Sequence, residues 1–335
     1  MDAIILAGGI PQPEDPLYGY SKGDSKALMD IAGKPMVQWV LDALSGAKHV
    51  DNVIIVGLSP KNKLKSKKPL HYLSNQGRML SNIVVGVDKS LELNKKNQYV
   101  MVVSADVPAL KSEMVDWLVE TCMETKDDMY YGVCTRKVME KRFSNSKRTY
   151  TKLKDIELCG ADVNIAHVSM TTDHLDMWET LIGSRKNPLK QAGIIGLGTL
   201  WSVFTRSISL DDLVDRVCQR IGISGRAIIW PYAEACMDVD KPHQLELMRK
   251  DLARQQKKAV AKKTKSAVKK KVAARSVKSK TAQVARKKTT APAKAKANTT
   301  KAVQPKVKPK PKATQAKTTK AVKPKTKPKA KTKKK

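Results

Sequence analysis

An α/β fold, with a mostly parallel sheet between two layers of helices, is predicted for about the first 250 of the 335 residues, and a disordered polycationic tail for the remainder. Three observations predict it. Apolar runs of strand length such as AIIL, VIIV and VMVVS alternate with amphipathic helical stretches, the pattern of strands joined by crossover helices. Glycines follow the first strand directly and an aspartate follows VMVVS, at the carboxyl strand ends where open α/β sheets bind ligands. Composition then changes sharply near residue 252. Residues 251–335 hold 32 Lys+Arg and one acid, whereas residues 1–250 hold 33 and 30, so the net charge of +34 divides into about +31 and +3. No aromatic residue follows Tyr232 and no glycine follows Gly225. A segment of this kind cannot bury enough apolar surface to offset chain entropy, and its like charges push it open. The expected division is therefore a domain over 1–252 and a Lys/Ala/Pro-rich tail over 253–335.

The first strand, Ala3 to Leu6, runs into Gly8 and Gly9, and a Pro/Gly/Ser loop extends to about Lys34. A helix begins at Pro35, where proline suits the first turn, with Val37, Val40, Leu41 and Leu44 as its apolar face. NVIIVG is a strand, KNKLKSKK a basic loop, LHYL a short strand and MLSNIVVGVDKSLEL a helix. YVMVVSAD, SEMVDWLVETCMET and MYYGVCT continue as strand, helix and strand. TYTKLKDIELCGADVNIAHVSM reads as two strands and a turn. Helices are expected around Asp173–Ile182, Pro188–Ile194 and Leu210–Gln219, strands at RAIIWPY and CMDVD, and a last helix from about Pro242.

Five cysteines without a CxxC pair, and a strand almost immediately after Met1, suit a reducing cytosol with buried thiols. The longest nearly uncharged apolar stretch, Gly193 to Phe204, falls short of the roughly 20 residues a bilayer span requires. The five histidines show no HxxxH spacing, and GxGxxG is absent, which disfavours a nicotinamide-linked oxidoreductase.

Four segments carry candidate chemistry: LAGG at Leu6–Gly9, SKALMDIAGKPM at Ser25–Met36, VVSADVP at Val102–Pro108 and MDVDKPHQLELM at Met237–Met248. A glycine pair after a first strand lets backbone approach a phosphate or a nucleobase, or simply makes a tight turn. Lys26 supplies a cation on the ligand side for triphosphate charge. Asp106, at the rim of the sheet, suits a hard, oxygen-seeking Mg²⁺, or caps a turn. Asp238 and Asp240, two apart on the expected CMDVD strand, share a face, and either could be a second metal ligand; Asp240 alternatively caps the following helix.

Jointly and in this order, the four segments resemble the superfamily of MobA-like (molybdenum-cofactor guanylyltransferase) and sugar-phosphate nucleotidyltransferases, over roughly residues 1–250. The resemblance implies a Rossmann-like three-layer α/β/α nucleotidyltransferase fold. It implies transfer of a nucleoside monophosphate from an NTP to a phosphorylated small-molecule acceptor, with Mg²⁺ and release of pyrophosphate. It assigns nucleotide binding to Leu6, Ala7, Gly8, Gly9 and Lys26, catalysis to Lys26 and Asp106, and metal binding to Asp106 and Asp240 with Asp238 in reserve. From NQGRMLSNIVVGV it adds Gly77 and Asn82 at the nucleobase, and from GADVNI it adds Asp162 and Asn164 on the acceptor side. One departure stands out. The family loop continues G-G-x-G-x-R, whereas this chain runs GGIPQPEDPLYGYSKGDSK and lacks that arginine; whether Lys22 replaces it stays open.

In composition the tail resembles linker-histone-like and bacterial histone-like tails, implying sequence-independent binding of DNA, RNA or another polyanion through residues 253–335. The expected location is cytoplasmic, with nucleoid association through the tail. The alternative reading is a catalytically silent nucleotide-binding domain in a nucleic-acid-associating protein that acts through its tail.

Overall fold

A computed structural model describes residues 1–21, 23–171, 175, 178, 193, 195–261 and 264. The chain divides into two units, Met1–Lys269 and Lys270–Lys335. The second lies outside the described residues, and with it most of the tail expected to be disordered; residues 253–261, expected within that tail, are helical.

Strands β1 (Asp2–Leu6), β2 (Val53–Val56), β3 (Leu70–Leu73) and β4 (Tyr99–Ser104) pair in parallel in the spatial order β3-β2-β1-β4. The same sheet continues through β5 (Met129–Thr135), β6 (Thr151–Lys152), β7 (Glu157–Gly160), β8 (Val163–His167) and β9 (Gly225–Ile229). β8 lies antiparallel between β4 and β5, β7 runs antiparallel along β5, and β6 pairs antiparallel with β7. β9 joins β5 in parallel. The sheet is therefore mixed but mostly parallel, only β7 and β8 opposing the other strands, in agreement with the α/β fold that the sequence predicts.

Alternation along each strand divides the core into two layers, because successive side chains leave opposite faces. Ala3, Ile5, Val53 and Ile55 join Val37, Val40, Leu41 and Leu44 of α1 (Met36–Gly46). Ile4, Ile54, Val56 and Val100 face the other way, onto Val87 of α2 (Met79–Leu93). Gly86 lets α2 seat closely, since a Cβ there would stand 2.6 Å from Ile4 Cγ2. Met114, Val115 and Leu118 of α3 (Ser112–Cys122) complete the first layer. All five cysteines are free, and four of them are buried.

Further helices among the described residues are α4 (Arg136–Arg142), α5 (Leu197–Phe204), α6 (Leu210–Ile221) and α7 (242–261). Leu245, Met248 and Leu252 of α7, at helical spacing, join the first layer, and Gln256 Nε2 still donates to the Ala32 carbonyl at 3.1 Å. Among the described residues no helix is long and apolar enough to cross a membrane.

Several local expectations need correction. CMDVD is not a strand: Ala233–Cys236 form a 3₁₀ turn, and residues 237–240 continue without sheet pairing because their backbone bonds go elsewhere, Val239 N–H to the Asp106 carbonyl at 3.0 Å. The loop before Lys34 carries short structure, a helical turn at Tyr18–Ser21, a 3₁₀ turn at Lys26–Leu28 and a strand pair Asp30–Ile31/Lys34–Pro35. Helix α4, unforeseen, is capped by Thr135, whose hydroxyl accepts from Val138 N–H at 3.3 Å. Helix α5 lies within the apolar stretch that suggested no element. The helices expected around Asp173–Ile182 and Pro188–Ile194 fall on segments largely outside the described residues, as does Lys22.

Candidate active site

The parallel register sets the site. Leu6 is level with Val56 on one side and Ser104 on the other, so the chain leaves β1, β2 and β4 along one rim. Ala7 N–H donates to the Val56 carbonyl at 2.9 Å and Ala105 N–H to the Leu6 carbonyl at 3.2 Å. Backbones nearly touch here. Gly57 has φ +102°, and a Cβ on it would stand 2.3 Å from Gly8 Cα, so neither its conformation nor its surroundings admit a side chain.

Ser25 brings Lys26 to this rim by donating its hydroxyl to the Ala7 carbonyl at 2.7 Å, and Lys26 N–H donates to the Gly9 carbonyl at 2.9 Å. The Lys26 ammonium then lies 2.6 Å from Asp106 Oδ2 and 2.6 Å from Asp240 Oδ1. Three residues expected at the site thus meet in one ion cluster, although Lys26 and Asp240 are 214 positions apart. Burial lowers the pKa of Lys26, but Asp106 and then Asp240 more than reverse this, and it ends above its ordinary value. Lys26 therefore carries its charge throughout the neutral range.

Asp106 is 13 % exposed at its side chain, and its Oδ1 is buried without a hydrogen-bond partner. Asp240 is 55 % exposed. Such a pair fits Mg²⁺, which is commonly held by one or two carboxylates together with substrate phosphates. Among the described residues no group of three or more His, Cys, Asp or Glu could hold a metal alone, so the donor set fits a metal shared with a phosphate rather than a closed protein cage. Asp238 is engaged elsewhere, in an ion pair with the Arg148 guanidinium, whose Nη2 also donates to the Gly160 carbonyl at 3.2 Å. The two aspartates meet different partners, and the strand expected to align them is absent.

In the segment expected to border a nucleobase, Asn75 makes the most hydrogen bonds. Its Nδ2 donates to the Gly8 carbonyl at 3.0 Å, and its Oδ1 accepts from Gly77 N–H at 3.1 Å and from Asn82 Nδ2 at 3.0 Å. Asn82 Oδ1 accepts from Gln76 N–H at 2.7 Å. Asn82 is buried and braces the segment from α2, while Gly77, at φ +79°, shapes its turn.

Asp162 immediately precedes β8 and Asn164 lies on it. Ser104 N–H donates to the Asp162 carbonyl at 2.9 Å, which fixes this strand beside the end of β4. Burial, and then the charge of Asp106, push the Asp162 carboxyl up to about 7, against the opposing pull of Arg148. Asn164 accepts from Gly132 N–H at 2.8 Å and donates to the Ala161 carbonyl at 3.3 Å, bracing the β5/β8 junction. Arg148 and Asn75 were not anticipated. Asn75 opens the NQGRM segment that pointed to Gly77, but Arg148 stands in a basic stretch, SKRTYTKLK, that gives no local sign of a buried partner. A separate cavity of about 660 Å³, lined by residues including Asp127, Cys218 and Arg226, contains none of these residues.

Comparison with known proteins bears on the family and the fold. A family model described as the MobA-like NTP transferase domain matches residues 3–186. The chain is 27 % identical over 125 residues to a probable molybdenum cofactor guanylyltransferase of Thermococcus sibiricus, covering 37 % of this chain and 57 % of that protein. It is 29 % identical over 119 residues to the probable molybdenum cofactor guanylyltransferase of Thermococcus gammatolerans, covering 36 % and 55 %. The chain thus spans little more than half the length of these curated relatives. Among solved structures, a hypothetical transferase from Thermus thermophilus superposes with a TM-score of 0.62 at 28 % identity, covering 73 % of this chain and 98 % of that one.

Proposed function

The chain belongs to the MobA-like NTP transferase domain family, and from that premise we propose that it is a Mg²⁺-dependent nucleotidyltransferase. It transfers a nucleoside monophosphate from an NTP to a phosphorylated small-molecule acceptor. The observation that carries this reading is the Lys26 ammonium held between Asp106 and Asp240 at the glycine rim.

In the reaction, an acceptor phosphate oxygen forms a bond to the α-phosphorus. The bond from that phosphorus to the bridging oxygen breaks, and its electron pair leaves with pyrophosphate. The attacking oxygen is already anionic, so no general base is required, and positioning with charge stabilisation suffices. The Leu6–Gly9 backbone admits the nucleotide close to the sheet, and Lys26 meets its phosphate charge. Asp106 and Asp240 would hold Mg²⁺, which when bound neutralises charge on the phosphate oxygens. Gly77, held with Asn82 through Asn75, borders the nucleobase, and Asp162, supported by Asn164, borders the acceptor. The relatives' descriptions make GTP and a molybdenum-cofactor acceptor the first pair to try. Residues 253–335 supply a polycation for DNA or RNA, in a cytoplasmic protein.

The test is calorimetry of the full chain with GTP, CTP, UTP and ATP, with and without Mg²⁺, alongside Asp106→Asn. Metal-dependent binding of one nucleotide, weakened at least about tenfold in the variant (roughly 1.4 kcal/mol), is the expected result. Absence of binding by all four nucleotides would sink the reading.

A further inference from the structure

Some cations of the folded unit are held in ion pairs. Lys26, Lys34, Lys89, Arg136, Arg142, Arg148, Arg226 and Arg249 each meet a carboxylate. The segment between β2 and β3 concentrates lysines. It carries Lys61, Lys63, Lys65, Lys67 and Lys68 within eight residues, and among the described residues none of the five meets a carboxylate. Five charges exceed the whole positive excess of three in residues 1–250. The nearest acid along α1, Asp42, is already bound by Lys34 at 2.5 Å and by Gln38 Nε2 at 2.8 Å.

This is a fixed loop rather than a loose one. Gln38 of α1 clamps Lys65 from both sides, donating to its carbonyl at 2.7 Å and accepting from its N–H at 2.9 Å. Ser45 at the other end of α1 accepts from Lys67 N–H at 2.6 Å, and Ser66 from Lys68 N–H at 2.9 Å. Asn62 closes the turn through Ser59 N–H at 2.9 Å, and Lys63 adopts the left-handed conformation beyond it. Leu64 packs on the main core. Exposure alternates accordingly: Lys61, Lys63, Lys65 and Lys67 are exposed, whereas Asn62, Leu64, Ser66 and Lys68 are partly buried. The fold thus holds like charges together along α1, against their mutual repulsion.

We propose that this lysine loop is a binding surface for the phosphate backbone of duplex nucleic acid, independent of the nucleotidyl-transfer reading and distinct from the tail. The four exposed cations alternate along a segment pinned to α1 at Gln38 and Ser45, which suits a row of phosphates better than one small anion. All five are lysines, point charges without the bidentate fork that reads bases, so contact is sequence-independent. The loop offers no aromatic ring on which single-stranded bases could stack. It also offers no exposed apolar side chain to enter a lipid interface, its one leucine being spent on the core.

The test uses the full chain, a short duplex of arbitrary sequence and fluorescence anisotropy over a salt titration. Replacing four phosphate contacts in Lys61→Gln/Lys63→Gln/Lys65→Gln/Lys67→Gln is expected to make the log–log salt slope shallower by about 3 to 4, since each contact contributes roughly 0.9. The control Lys95→Gln/Lys96→Gln removes exposed charge elsewhere on the same unit and is expected to change the slope by less than about 1. An unchanged slope in the fourfold variant overturns the proposal. So does an equal loss per charge in the control, which would reduce the effect to net charge. Loss of binding to phosphatidylserine vesicles with duplex binding intact would also overturn it, in favour of a membrane surface.

Discussion

At the scale of single residues, Lys26 and Asp162 make the sharpest predictions. Lys26→Met removes the cation that both carboxylates share, and by analogy with deleting one stabilising donor, turnover should fall about 10² to 10³-fold. The check is a rate measured alongside an unfolding curve, so that loss of chemistry is separated from loss of fold. Asp162 predicts a pH dependence. Its folded pKa, about 7, lies above its unfolded value near 4, so the folded state binds more protons between them. Its contribution to stability is therefore fully present below about pH 4 and is lost as pH rises to about 7. Asp162→Asn should abolish that slope, and urea midpoints with chelator present should show the variant gaining on the parent as pH increases through this window. Sequence made the residue types at this site legible: a lysine ahead of IAGKPM and an aspartate closing a strand. It did not reveal that Asn82 spends its amide on Gln76 N–H and the Asn75 side chain and Asn164 on backbone, because a side chain's partners are set by what the fold brings beside it.

At the scale of elements, the segment 237–240 decides which aspartate faces Lys26. Asp238 is bound by Arg148 and Val239 by the Asp106 carbonyl, leaving Asp240 to the ammonium. Breaking a largely buried pair strands one charge, so Arg148→Met should cost about 3 kcal/mol, and Arg148→Met/Asp238→Leu should recover most of it. A double-mutant cycle by chemical denaturation measures both, and apparent Mg²⁺ affinity should weaken in the single variant. The glycine rim makes a second prediction. Gly57→Ala meets the Gly8 backbone and requires an unfavourable positive φ, so it should destabilise by more than about 1 kcal/mol and impair nucleotide binding, read from the same calorimetry.

At the scale of the whole molecule, the question is what the catalytic unit shares with the polycation attached to it. Helix α7 remains tied to the body through Gln256, so a cut after residue 264 is the appropriate one. Removing 265–335 should leave Mg²⁺-dependent nucleotide binding within about twofold (roughly 0.4 kcal/mol) while flattening most of the duplex salt slope. The full chain should show a slope on the order of −9 if about ten phosphates are neutralised. The sequence by itself determined the sheet-and-helix alternation, the placement of Gly8, Gly9 and Asp106 at strand ends and the change of composition near residue 252. These are written in local periodicity and residue type, which short windows of chain carry without help. Only the tertiary structure decided that β8 lies antiparallel between β4 and β5, that Asp240 rather than Asp238 reaches Lys26, and that Arg148 holds the other aspartate. Those outcomes depend on pairings between distant segments, up to 214 positions apart, whose register no local pattern encodes.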